Sequence, residues 1–314
     1  MSRRFVDPEL LPFIQRPAGA DGEFTEDQIE AYVASLGQLT RPRVGVTTED
    51  VTIPGLDGDP NVLIRVFTPE EAPSAQARGL LVSLHGGGWT MGSIEDTYHD
   101  CADWALGANI VVVDVEYRLA PDNPHPAALR DAIAALHWAA RQAESLGVDP
   151  DRIGIGGRSA GANLAAGATL WVRDHGGPSI AFQLLDVPSF DDRLTTPSME
   201  EFADIPGLNK HTTDQYWHAH LGTFYGTPDV PYYAAPARCD DLTDLPPAYI
   251  AVAECDPLRD EGIMHALRLL QAGNSVELHA YPGAWHGSSV LPAAVSERQQ
   301  HELVAVLRAR LGTV

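Results

Sequence analysis

The chain has 314 residues, 44% of them apolar, enough to bury one large core in an α/β unit with insertions. Its formal charge is −22, from 43 acidic against 21 basic residues, a balance that repels phosphate backbones and argues against nucleic acid as a partner. Three scattered cysteines, Cys101, Cys239 and Cys255, form neither a disulfide framework nor a zinc site. No apolar run reaches membrane-spanning length, so a soluble cytoplasmic protein with buried free thiols is expected.

In chain order, residues 1–42 read as helical, with Thr25 and Gln28 forming a capping box ahead of Ile29, Val33 and Leu36. Two β-rich runs follow, Val44–Ile53 and Val62–Phe67, and Gly55, Gly58 and Pro60 between them predict a hairpin-like turn. Strands and helices then alternate. Leu80–Leu84, Ile110–Val115, Ile153–Ile155, Ile180–Leu185, Ala248–Ala253 and Val276–Ala280 are short and apolar, as strands buried on both faces are. A helix over 127–146 repeats Leu129, Ile133, Leu136 and Ala140 on one face. Another spans Arg259–Gln271 and stops at Gly273, and a last one runs from about Glu297 to Leu311. This alternation predicts a mostly parallel sheet with helices on both faces.

Residues 188–245 break the rhythm. They hold no core strand but carry Phe190, Phe202, Tyr216, Trp217, Phe224, Tyr225, Tyr232 and Tyr233, as a helical cap or a surface insertion with its own small core would. The expected division is a helical N-terminal segment over residues 1–42, a first core segment over 43–187, the insertion over 188–245 and a second core segment over 246–314.

Chemistry concentrates in four places. Gly157-Arg158-Ser159-Ala160-Gly161 follows a strand and opens a helix-forming run, the setting a nucleophile elbow requires, with Ser159 as nucleophile. His85-Gly86-Gly87-Gly88-Trp89 follows another strand. Its glycines let backbone amides turn inward, so Gly87 and Gly88, with Ala160, are the candidate oxyanion donors. A serine hydroxyl needs a base, and of twelve histidines His286 lies in the loop after the last strand, where α/β sheets place their sites. The acid falls between serine and histidine in the order Ser…Asp/Glu…His. Asp256 stands at a strand end, with helix capping as its competing role and Asp260 as the competing acid.

With Glu116-Tyr117-Arg118-Leu119-Ala120-Pro121 and Asp256-Pro257-Leu258-Arg259-Asp260-Glu261, these motifs make the chain similar to the hormone-sensitive-lipase-like family of α/β-hydrolases. The resemblance covers nearly the whole chain. It implies an eight-stranded, mostly parallel sheet, a cap built from the N-terminal helices and the 188–245 insertion, and carboxylesterase activity on short to medium acyl chains. The chain departs from the family pattern at Arg158, where an Asp is common, and at Ala162, where a second Gly is common. The Arg158 side chain is expected either to turn away and pair with a carboxylate, or to line the pocket and select anionic groups.

The expected reaction is acyl transfer through a covalent intermediate, with no metal and no organic cofactor. Activity should fall below pH roughly 6–7 as the imidazole base protonates. The same machinery would serve an amidase, lactonase or deacetylase. A ligand receptor would be expected to have lost one of the three residues, and a lipase would want apolar surface that this acidic chain does not display. Trp89, Phe202, Tyr216 and Trp217 are candidate pocket walls, each equally suited to the core. The partner expected is a small ester, and the assembly a monomer or a homodimer paired through an exposed last strand.

Overall fold

In the computed structural model, which describes residues 6–14, 43–70, 77–205 and 207–312, the β-rich runs assemble into one sheet. The capping box at Thr25 and Gln28 lies outside the described residues. Strands β1 (Val46–Ile53) and β2 (Val62–Pro69) pair antiparallel, with Ile53 opposite Val62 across the turn that holds Gly55 and Gly58. β2 is also antiparallel to β4 (Val111–Glu116). β3 (Arg78–Leu84), β5 (Val148–Arg158), β6 (Phe182–Asp186), β7 (Ala248–Ala253) and β8 (Val276–Tyr281) all run parallel with β4, giving the order β1-β2-β4-β3-β5-β6-β7-β8.

Alternation along the central strands explains their unbroken apolar runs. Leu80, Val82, Leu84, Val111, Val113 and Val115 face one core, while Leu81 and Val112 face the other. The first core is covered by α3 (Ala127–Gln142), α4 (Ala160–His175) and α7 (Arg259–Gln271), the second by α2 (Tyr98–Ala108) and α8 (Ala294–Arg310). In α3 the buried positions Leu129, Ile133 and Leu136 form the expected stripe. The short helix α1 (Leu11–Ile14) follows Leu10, which is fully buried in the second core.

Most element ends shift by a few residues from the sequence reading; two starts shift through a tertiary cause, and one helix has no counterpart in that reading. β5 begins at Val148, because the register shifts between the Arg78–Val148 and Leu80–Ile153 pairs and admits the polar run 149–152. α8 begins at Ala294, whose amide donates to the Glu9 carboxylate at 2.7 Å, a cap supplied from the other end of the chain. α2 escapes a reading by periodicity because its buried side consists mainly of Cys101, Ala102, Ala105 and Ala108, with Trp104 as its one large side chain.

Between β6 and β7 the chain forms α5 (Pro197–Glu201) and α6 (Lys210–Leu221), the latter opened by a capping box between Asn209 and Thr212. Trp217 and Leu221 of α6 are buried against the first core. The three cysteines are buried and unbridged. Among the described residues, no helix is long and apolar enough to cross a membrane.

Candidate active site

The residues singled out above lie at the carboxyl ends of β3, β5, β7 and β8, on one edge of the sheet. β5 turns into α4 through Ser159, whose backbone has φ 57° and ψ −119°, a conformation side chains rarely adopt and one that lifts its hydroxyl above the sheet. The turn is tight because strand, helix and neighbouring loop converge there. A Cβ on Gly157 or Gly161 would collide with the Leu84 carbonyl oxygen. The Ser159 amide donates to the Asp186 carbonyl at 2.8 Å, which ties the turn to β6.

His286 presents Nε2 to Ser159 Oγ at 3.0 Å and Nδ1 to Asp256 Oδ2 at 2.7 Å. Asp256 is 1% exposed. Its second oxygen accepts the Leu258 amide at 2.9 Å, so it both meets the imidazole and shapes the turn into α7. The loops carrying the two residues are joined. Cys255 N donates to Ala284 O at 2.8 Å, and Gly283 N to the Glu254 carboxylate at 2.7 Å. Asp260 stands apart from the imidazole, accepting from the Ser198 amide at 2.7 Å and the Arg259 guanidinium at 2.8 Å.

The loop after β3 brings Gly86, Gly87 and Gly88 to the same cavity as Ser159 and Ala160. Gly87 and Gly88 have φ 114° and 57°. A Cβ on Gly87 would strike the Met91 carbonyl, and one on Gly88 would lie 2.6 Å from the Tyr216 ring. His85 is turned toward this loop. Its ring stacks on Tyr117 with centroids 4.0 Å apart, and its Nδ1 lies 2.7 Å from Gly86 O. Burial pushes its pKa down, which keeps the imidazole neutral, with the Nδ1 proton donated to that carbonyl. The Tyr117 hydroxyl donates to His85 O at 2.8 Å.

The cavity holds about 470 Å³. Trp89 and Tyr216 stand in its wall; Phe202 and Trp217 do not. Tyr216 and Trp217 are successive residues of a helix, so their side chains diverge by roughly 100°. The first meets the cavity and the second the core, where its ring centroid is 4.6 Å from that of Trp89. Phe202 joins the core on the other side of the sheet, under the Arg259 guanidinium. The wall also includes Ser189, Leu208, Thr213 and Leu258, which the sequence reading did not single out. Thr213 lies one helical turn before Tyr216 and Leu258 two residues after Asp256, and these spacings are the signals that could have found them. A roomier recess of about 670 Å³ lies between the β1–β2 hairpin and α3, and shares no residue with this site. No cluster of three or more metal-ligating side chains occurs among the described residues.

Arg158 has its guanidinium in two ion pairs, Nε to Asp186 Oδ2 at 2.8 Å and Nη1 to Asp100 Oδ2 at 2.9 Å. Nη2 is sealed from solvent.

Residues 81–289 match the family model of the α/β-hydrolase fold. The chain is 39% identical to esterase LipI of Mycobacterium tuberculosis, over 90% of this chain and 88% of that one. It is likewise 39% identical to carboxylesterase NlhH of the same organism, over 90% of each chain. Among solved structures, a bacterial heroin esterase superposes with a TM-score of 0.91 and 43% identity, covering the whole of both chains. An esterase of Pyrobaculum calidifontis superposes at 0.84 with 31% identity, over 97% of this chain and 98% of that one. The chain belongs to the α/β-hydrolase fold family, in its hormone-sensitive-lipase-like branch. It is a serine carboxylic ester hydrolase.

Proposed function

We propose that the chain hydrolyses short- to medium-chain carboxylic esters, with Ser159 as nucleophile, His286 as base and Asp256 as the acid that orients it. The observation that carries this reading is the line Ser159 Oγ–His286 Nε2, 3.0 Å, and His286 Nδ1–Asp256 Oδ2, 2.7 Å, opening on a cavity of about 470 Å³. That volume lies at the lower end of the roughly 300–1,000 Å³ range of small-molecule sites.

In the reaction, Ser159 Oγ bonds to the ester carbonyl carbon as its proton passes to His286 Nε2. The carbonyl oxygen becomes an oxyanion and takes the amide protons of Gly87, Gly88 and Ala160. Asp256 holds the Nδ1–H tautomer and stabilises the imidazolium without taking its proton. The tetrahedral intermediate collapses, the C–O bond to the alcohol breaks, and His286 returns its proton to the leaving oxygen. Water then repeats the sequence on the acyl-enzyme and releases the acid.

The test is hydrolysis of p-nitrophenyl esters from acetate to palmitate. Acetate and butyrate should turn over fastest, and Ser159→Ala should lose at least about 10⁴-fold in kcat. Palmitate turning over as fast as acetate would refute the chain-length reading, and a near-wild-type alanine variant the nucleophile. The likeness to a heroin esterase favours a second reading, in which esters of bulky ring alcohols also enter. Release of acetate from heroin, followed by chromatography, tests that separately.

A further inference from the structure

The residue before Ser159 is one of two places where this chain departs from the pattern it resembles, and the side chain there is built into a network. Arg158 reaches two carboxylates on two different elements. Asp186 ends β6, and Asp100 lies in the first turn of α2. Asp186 is itself doubly engaged. Its other carboxylate oxygen accepts the Gln299 side-chain amide of α8 at 2.7 Å, while its backbone carbonyl accepts the Ser159 amide at 2.8 Å. The Asp186 side chain is 2% exposed and that of Arg158 17%. Burial alone would lower the guanidinium's hold on its proton, but the two carboxylates more than offset this and keep it charged.

α2 begins directly after the loop that carries Gly86–Gly88, since residues 85–97 join β3 to it. One planar guanidinium therefore spans the elbow, the strand end that accepts the elbow's amide, and the helix in which the oxyanion loop terminates. A lysine ammonium lacks the planar fork that fixes both partners in one geometry, and an aspartate would repel both. Arg158 is among the residues that line the cavity, but its guanidinium is engaged by both carboxylates and Nη2 is sealed from solvent.

We propose that Arg158 is a positioning residue that fixes Ser159 relative to the oxyanion loop by bridging Asp186 and Asp100. Its action is indirect: its guanidinium is taken up by Asp186 and Asp100, and through them it holds the backbone whose strained conformation aims Oγ. Displacement of a nucleophile by about 1 Å can cost on the order of 10²-fold in rate. The expected signature is therefore a loss in kcat with KM little changed.

This proposal rests on Ser159 being the nucleophile, and the experiment separates the two. Wild type, Arg158→Gln and Arg158→Lys are assayed on p-nitrophenyl butyrate, per folded molecule and well below each unfolding midpoint. The rate at which a small fluorophosphonate labels Ser159 is measured in parallel. Absence of labelling at Ser159 in wild type sinks the nucleophile assignment itself. With labelling established, Arg158→Gln should lose about 10²-fold in both kcat and labelling rate, with KM within about threefold, and Arg158→Lys should recover some of both. A lower unfolding midpoint with unchanged kcat and labelling would make Arg158 merely structural and overturn the proposal. A change confined to KM, or to preference for anionic esters, would overturn it too. Should Arg158→Gln fail to fold, Asp100→Asn and Gln299→Leu test the same network from its outer ends. Reduced kcat and labelling at constant KM supports positioning, and wild-type values in both variants refute it.

Discussion

At Gly88 the backbone lies in the left-handed region, and the Tyr216 ring occupies the space a side chain would need. Gly88→Ala should therefore push apart the glycine loop after β3 and α6 and, with the Gly88 amide in its proposed role as an oxyanion donor, lower kcat by about 10²-fold, the scale of losing one such donor. Pairing it with Tyr216→Ala removes the collision but leaves the positive φ, so the double variant should regain some of the rate. Kinetics of the two single variants and the double test this, and strictly additive losses would show that the ring is not the obstacle. Legibility at this scale divides by how local the signal is. The glycine runs and Ser159 could be found in the sequence because a tight turn demands particular neighbours within a few residues. Phe202 and Trp217 could not be sorted from Trp89 and Tyr216, because which side of a helix meets a cavity depends on what the helix packs against. The role of Arg158 depends on Asp100 and Asp186, 58 and 28 residues away.

Among the elements, α4 and α7 do more than cover the sheet. Asn163, four residues after Ser159, donates its side-chain amide to Ser189 O at 2.8 Å and to Ala234 O at 2.9 Å. Glu261, five residues after Asp256, accepts the amides of Phe190 and Asp191 at 3.1 and 3.0 Å. The helices that follow Ser159 and Asp256 thus grip the same tripeptide, 189–191, shortly after β6, and Ser189 of that tripeptide lines the cavity. Asn163→Ala strips two buried carbonyls of their donor and should lower stability by about 2–3 kcal/mol. Thermal unfolding should show a midpoint several degrees lower, and an unchanged midpoint would mean water takes the place of the amide. The sequence announces the parallel strands and α7 because their patterns are continuous and their stops are local. It conceals the start of α8, whose first amide is capped by Glu9, and α2, whose buried side is mostly small residues.

For the whole molecule, the net charge of −22 says little about the interior, where acidic groups behave individually. Asp114 on β4 is fully buried, and burial pushes its carboxyl up to about 7 despite a hydrogen bond from Thr97. An unfolded chain would release that proton near pH 4. Between about pH 4 and 7 the folded state therefore holds a proton the unfolded state has lost, and this group's contribution to stability falls as pH rises. Above about pH 7 both states are ionised and the contribution is level. Measured against Asp114→Asn, wild type should lose stability between pH 4 and 7 and run parallel to the variant above that. Denaturant unfolding at pH 5, 6.5 and 8.5 reads the difference, and a constant gap across all three would exclude a raised carboxyl.

The three residues proposed for the chemistry are drawn from strand ends far apart in the chain, and two of them, Asp256 and His286, arrive only in its last fifth. The exposed run at Asp240, Asp241, Thr243 and Asp244 lies between them and Ser159. A cut there divides the relay, leaving the hydroxyl on one fragment and the imidazole with its carboxylate on the other. Neither fragment holds the means to open an ester, so hydrolysis by a mixture of the two would count the molecules in which β7 has found its place beside β6.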